Sequence, residues 1–64
     1  MSDDAKREIY VEFIVHGATV KATAIDAKTG IEASTLGPIG AARQVLGTAA
    51  VRKLEYVLKK RGAV

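Results

Sequence analysis

Ile9-Tyr10-Val11-Glu12-Phe13-Ile14-Val15-His16-Gly17-Ala18-Thr19-Val20-Lys21-Ala22-Thr23-Ala24-Ile25-Asp26 is the stretch that decides the fold. Ile9, Val11, Phe13 and Val15 alternate with Glu8, Tyr10, Glu12, Ile14 and His16. That period of two, rich in β-branched and aromatic side chains, specifies a strand. Gly17-Ala18 interrupts it, and a two-residue loop with glycine first suits a type II′ hairpin turn. A second strand then runs from Thr19 to Asp26 with Val20, Ala22 and Ala24 on one face. The turn predicts that His16 opposes Thr19, Val15 opposes Val20, Phe13 opposes Ala22 and Val11 opposes Ala24. In that register both strands put their cleaner apolar sets on the same side, whereas a one-residue slip would separate them.

Working outward, Asp26-Ala27-Lys28-Thr29-Gly30 reads as a second turn, with Asp opening a type I turn and Gly closing it in the left-handed conformation. A third strand is expected from Ile31 to about Leu36. If Asp26 pairs with Ile31, then Ile31, Ala33 and Thr35 join the core face; a bulge at Gly30 would reverse this. Gly37-Pro38 is expected to end the sheet and lead into a helix. From about Ile39 to Arg61 the spacing lengthens, and Leu46, Ala49, Ala50, Leu54, Val57 and Leu58 recur every three or four residues, an amphipathic helix. Arg52, Glu55 and Lys59 fall opposite, with Glu55–Lys59 a favourable pair. Gly47 costs a helix about 1 kcal/mol relative to alanine. It either permits close approach to the sheet or divides the helix before Thr48; one in-phase stripe across it favours a single helix. Gly62 is a natural stop. The expected architecture is α+β: a three-stranded antiparallel β-meander with one C-terminal amphipathic helix packed on one face, in the order β-β-β-α, as two-layer packing requires.

The 64 residues leave room for a single domain, with 1–6 and 62–64 frayed. A chain of this size buries only about 60% of its unfolded surface, so its stability is narrow. With no cysteine and one histidine, neither a disulfide nor a metal site supplements the core. Self-association is the remaining means of support. No run approaches the roughly 18 apolar residues of a membrane span. The polar Met-Ser-Asp-Asp-Ala-Lys-Arg start is not a signal peptide, so a soluble cytoplasmic protein is expected.

The chemistry of catalysis is thin. His16 sits beside a hairpin turn, Ser34 has no evident base, and Glu12 faces Thr23 and diagonally Lys21, which suggests a surface salt link of small value. So short a chain lacks room for a deep pocket of several hundred Å³ unless a dimer builds one. Gly37-Pro38-Ile39-Gly40 lacks the lysine and hydroxyl residue of a phosphate loop. No enzyme, cofactor or metal is indicated.

Two surfaces remain. On the sheet face away from the helix lie Tyr10, Ile14 and Ile25, with Glu12, Lys21, Thr19 and Thr23 between them; if Leu36 joins, the face carries four large apolar side chains. An apolar patch with polar neighbours marks a partner site, although scattered surface hydrophobics are ordinary. The candidate protein interface is therefore Tyr10, Glu12, Ile14, Lys21 and Ile25. The second surface is basic. Residues 40–64 carry six basic side chains and one acidic, against four and six in residues 1–39. Arg52, Lys53, Lys59, Lys60 and Arg61 are candidate nucleic-acid contacts, or cations that complement the helix dipole. Tyr56 is the one aromatic available there for stacking.

The β-β-β-α order with a basic helix resembles the latter part of a double-stranded-RNA-binding domain. It differs in lacking a first helix, in its tight Gly17-Ala18 turn and in placing its lysines late in the helix. A closer resemblance is carried by Arg7-Glu8-Ile9-Tyr10-Val11-Glu12-Phe13, Val20-Lys21-Ala22-Thr23-Ala24-Ile25-Asp26, Thr29-Gly30, Gly37-Pro38 and Arg52-Lys53-Leu54-Glu55-Tyr56-Val57-Leu58. These segments, spanning nearly the whole chain, are similar to a family of short uncharacterised bacterial proteins. The resemblance implies a bacterial, proteobacterial source and a protein of unknown function, with no catalytic residue to carry over. The leading expectation is a non-enzymatic module that binds itself or a protein partner through the exposed sheet face; nucleic-acid binding through the helix cations stands second.

Overall fold

The computed structural model describes residues 8–62; of the frayed ends expected at 1–6 and 62–64, all but Gly62 lie outside them. Strands β1 (Ile9–His16), β2 (Thr19–Asp26) and β3 (Glu32–Pro38) precede one helix, α1 (Arg43–Lys60). The sheet is antiparallel in the order β1-β2-β3. The first hairpin holds the expected register, His16 opposite Thr19 through Val11 opposite Ala24. Gly17 has φ 64° and Ala18 has negative φ, as a type II′ turn demands.

The second turn is built around Asp26. Its Oδ2 accepts the Thr29 N–H at 3.0 Å and the Thr29 hydroxyl at 2.6 Å. Thr29 Oγ1 in turn accepts the Ile31 N–H at 3.2 Å. Gly30, at φ 77°, closes the loop, and the Asp26 N–H reaches the Ile31 carbonyl at 2.9 Å. No bulge shifts the register, so Ala24 meets Ala33 and Ala22 meets Thr35. Ile31, Ala33 and Thr35 therefore face the helix.

The sheet does not stop at Gly37. Gly37 pairs with Val20 and Pro38 with Thr19, and the Ile39 N–H donates to the Ala18 carbonyl at 2.8 Å. That bond commits Ile39 to the sheet, so α1 starts at Arg43, four residues later than its apolar spacing suggested. Ala42, at the helix entry, supplies no side-chain cap. The helix is continuous through Gly47 and closes with the Arg61 N–H on Val57 and the Gly62 N–H on Lys59. Without a cap, its stability comes from the face it buries.

That face is Leu46, Gly47, Ala50, Leu54 and Leu58. Ala49, expected in the stripe, is exposed. The buried set meets Val20, Ala22, Ala24 and Ala33. The alanines of β2 and β3 are small enough for the helix to lie close over them, and α1 packs mainly there. It reaches β1 less, at Val11 and Phe13 beside Gly47, and Val15 stays 52% exposed despite pointing to the helix side.

At Gly37, β3 lies close under α1. A Cβ there would lie 2.5 Å from Leu46 Cδ2 and 3.3 Å from its Cγ. Leu46 is buried and cannot step aside freely. Gly37→Ala is expected to destabilise the domain by about 1–3 kcal/mol through overpacking, read as a lower midpoint in urea.

Candidate functional site

The outer face of the sheet is set by the even-numbered residues of β1 and β3 and the odd-numbered residues of β2, because side chains alternate along a strand. The registers arrange them in cross-strand rows. Tyr10 lies beside Ile25 and Glu32; Glu12 beside Thr23 and Ser34; Ile14 beside Lys21 and Leu36. Tyr10, Ile14 and Leu36 are 55%, 53% and 67% exposed. Ile25 is half-buried among them. All five residues of the candidate protein interface thus share one face.

Thr23 departs from expectation. It was placed among exposed polar residues, yet it is only 5% exposed. Central-strand neighbours shield it, and its hydroxyl shares a hydrogen bond of 2.9 Å with the Ser34 hydroxyl. Glu12 and Lys21 form no ion pair, and neither do Glu55 and Lys59; these exposed side chains stay in solvent, consistent with the small worth of such pairs.

The basic candidates divide. Arg52 and Lys59, seven residues apart, lie along one exposed line of α1, with Lys60 beside them. Tyr56 on that side is 62% exposed, and the Lys60 ammonium sits 5.6 Å from its ring centroid. Arg61 follows the helix end and is exposed. Lys53 is drawn away: its Nζ donates to the Ser34 carbonyl of β3 at 2.8 Å.

One feature escaped the sequence. An open groove of about 600 Å³ lies between β1 and α1; it is a surface furrow and not a deep pocket. Val11, Phe13, Gly47 and Val51 form its apolar floor, with Arg43, Arg52 and Glu55 at the rim. A Cβ on Gly47 would come 3.3 Å from Phe13 Cζ, so the glycine admits the Phe13 ring against the helix. The Arg43 guanidinium caps that ring at 5.5 Å. The legible signal was the contrast in bulk between Phe13 on β1 and the alanines of β2 and β3, which tilts the helix toward the small side chains.

His16 is exposed at the end of β1. Among the described residues no group of three His, Asp or Glu side chains could hold a metal ion, and no helix is long and apolar enough to cross a membrane. No curated protein and no solved structure matches the chain. Residues 6–61 match the model of a domain of unknown function (DUF6898). That match spans all four elements of the meander and its helix, so the chain belongs to this family.

Proposed function

We infer that the domain is a non-enzymatic interaction module that binds itself or a protein partner through the outer face of its sheet. The observation that carries this is the set Tyr10, Ile14 and Leu36, each more than half exposed on the side the helix leaves bare. Large apolar side chains gathered on one face favour a partner that removes them from water. Lys21, Glu12 and the Thr23–Ser34 pair between them offer polar points of discrimination. The module acts in the cytoplasm on this reading, in keeping with a small domain that carries no cysteine; cell fractionation checks the placement.

The test is affinity capture by the full chain from its own cells, with and without nuclease. A bound protein should survive nuclease treatment and fall at least about tenfold, some 1.4 kcal/mol, with Ile14→Glu or Leu36→Glu. Capture that is indifferent to both substitutions would remove the face from consideration.

A second function is favoured by the exposed Tyr56 flanked by Arg52, Lys59 and Lys60 on α1. Cations beside a stacking ring suit single-stranded nucleic acid. Here, replacing Lys59, Lys60 and Arg61 by alanine should weaken RNA or DNA binding and flatten its salt dependence. A wild-type chain that shifts neither nucleic acid at low ionic strength ends this alternative.

A further inference from the structure

The two edges of the sheet are built differently. On β3 the outward-facing backbone groups belong to the even-numbered residues, since Ala18, Val20, Ala22, Ala24 and Asp26 of β2 bond with Ile39, Gly37, Thr35, Ala33 and Ile31. This edge is sealed at two points. Pro38 has no N–H to offer, and the outward Ser34 carbonyl is occupied by Lys53. Both are recognised means of blunting a strand edge.

The edge of β1 has neither. The Ala27 N–H bonds the Glu8 carbonyl, and the alternation of an antiparallel ladder then turns the even-numbered residues of β1 toward β2. The N–H and C=O groups of Ile9, Val11, Phe13 and Val15 point outward. Among the described residues no strand lies beyond them. β1 has no proline, no glycine and no inward lysine over its eight residues. Val11 and Val15 are 36% and 52% exposed on its helix side, and Tyr10 and Ile14 more than half exposed on the other.

We propose that β1 is a homodimerisation edge, pairing antiparallel with β1 of a second copy to make one six-stranded sheet. This deepens the interaction-module reading and rests on it, by naming the partner as another copy and the seat as an edge. The second copy is the occupant that the strand itself fits. Antiparallel pairing about a two-fold axis perpendicular to the sheet keeps both helices on one side and matches outward groups with outward groups. Of the registers that do so, one centred on Glu12 would set that carboxylate against its own copy, which is repulsive. One centred on Val11 leaves Val15, and one centred on Ile14 leaves Val11, without an opposite number within the strand. Centring on Phe13 sets Val11 against the partner's Val15 and Ile14 against the partner's Glu12, with no like charges opposed. The two half-exposed valines then cover each other. The outer apolar patches of the two copies also become one continuous face.

The test uses the full chain in sedimentation across a concentration series, with amide exchange followed by NMR. Val15→Pro deletes an outward N–H and leaves the β1–β2 ladder intact; Val15→Lys places a lysine on the same edge. The wild type should dimerise. Both variants should raise the dissociation constant by at least about 100-fold, and Val45→Glu, 65% exposed on α1 and away from the strand edge, should leave it unchanged. In the wild type, the Val11, Phe13 and Val15 amides should exchange more slowly as concentration rises, whereas those of Tyr10, Glu12 and Ile14 are protected throughout. Should Val15→Pro fail to fold, Val15→Lys and the exchange pattern decide. A wild type still monomeric at about 1 mM, or edge amides that exchange freely at every concentration, would overturn the pairing; face-dependent capture from cells would then still stand. A dimer indifferent to both Val15 variants but broken by Leu36→Glu would also overturn it, and move the contact to the outer face.

Discussion

Leu54→Ala is expected to cost about 3 kcal/mol, within the range for deleting a buried leucine whose neighbours cannot collapse into the space. Leu54 is fully buried, on the line of α1 that lies over the alanine-rich part of the sheet. The part of the core that β2 and β3 contribute is mostly alanine, Ala22, Ala24 and Ala33 beside Val20, too small to reach across a void. A core of this size supplies only about 3–5 kcal/mol in total, so the substitution should leave the chain largely unfolded at physiological temperature. Urea denaturation followed by circular dichroism, at one fixed protein concentration, measures it. Leu36→Ala is the control: that leucine is 67% exposed, and its loss should move stability by no more than about 0.5 kcal/mol. Similar costs at the two positions would contradict the packing of α1 described above.

Asp26→Ala should be nearly as damaging, at about 3 kcal/mol. Asp26 is fully buried, and its carboxylate receives both the backbone and the hydroxyl of Thr29. Hydrogen bonds to a charged acceptor are worth about 1.5–3 kcal/mol each when a partner is deleted. Alanine removes the one oxygen, Oδ2, that accepts both bonds and leaves the Thr29 donors without their partner in the turn. The Ile31 N–H, which leans on Thr29, loses its support as well. Asp26→Asn can set its one oxygen where Oδ2 accepts both Thr29 bonds; it loses only the charge assistance and should recover roughly half of the loss. A second-hairpin register that drifts in the alanine variant, visible as lost cross-strand contacts between Ala24 and Ala33, would accompany the drop. Equal stability of the aspartate, asparagine and alanine forms would show that the turn holds itself without the carboxylate.

Much of this architecture was written locally. The β1–β2 register follows from two alternating patterns that agree only when Gly17 and Ala18 form the turn. The second hairpin follows from Asp26 and Gly30, each suited to its place by side-chain chemistry or backbone freedom. The helix follows from spacing that stays in phase past Gly47. The five candidate interface residues fell on one face because period-two alternation leaves no other choice.

Other features depend on contacts between distant positions. The start of α1 was misplaced because the Ile39 N–H is claimed by Ala18, a competition that apolar spacing does not record. Ala49 was counted into the core because its spacing allows it, but the lateral placement of the helix over β2 and β3 turns it to solvent. That placement, and the groove it opens beside Phe13, reflects differences in side-chain bulk between strands. The burial of Thr23 needs its neighbours on both sides, and the bond from Lys53 to Ser34 joins positions 19 residues apart.

The unequal rims of this sheet also bear on how the chain behaves in a crowded solution. A ribbon able to add strands on both sides can grow indefinitely, which is how fibrils elongate. With Pro38 and Lys53 standing on one side, each added molecule would bring a dead end with it, and growth would stop at a pair.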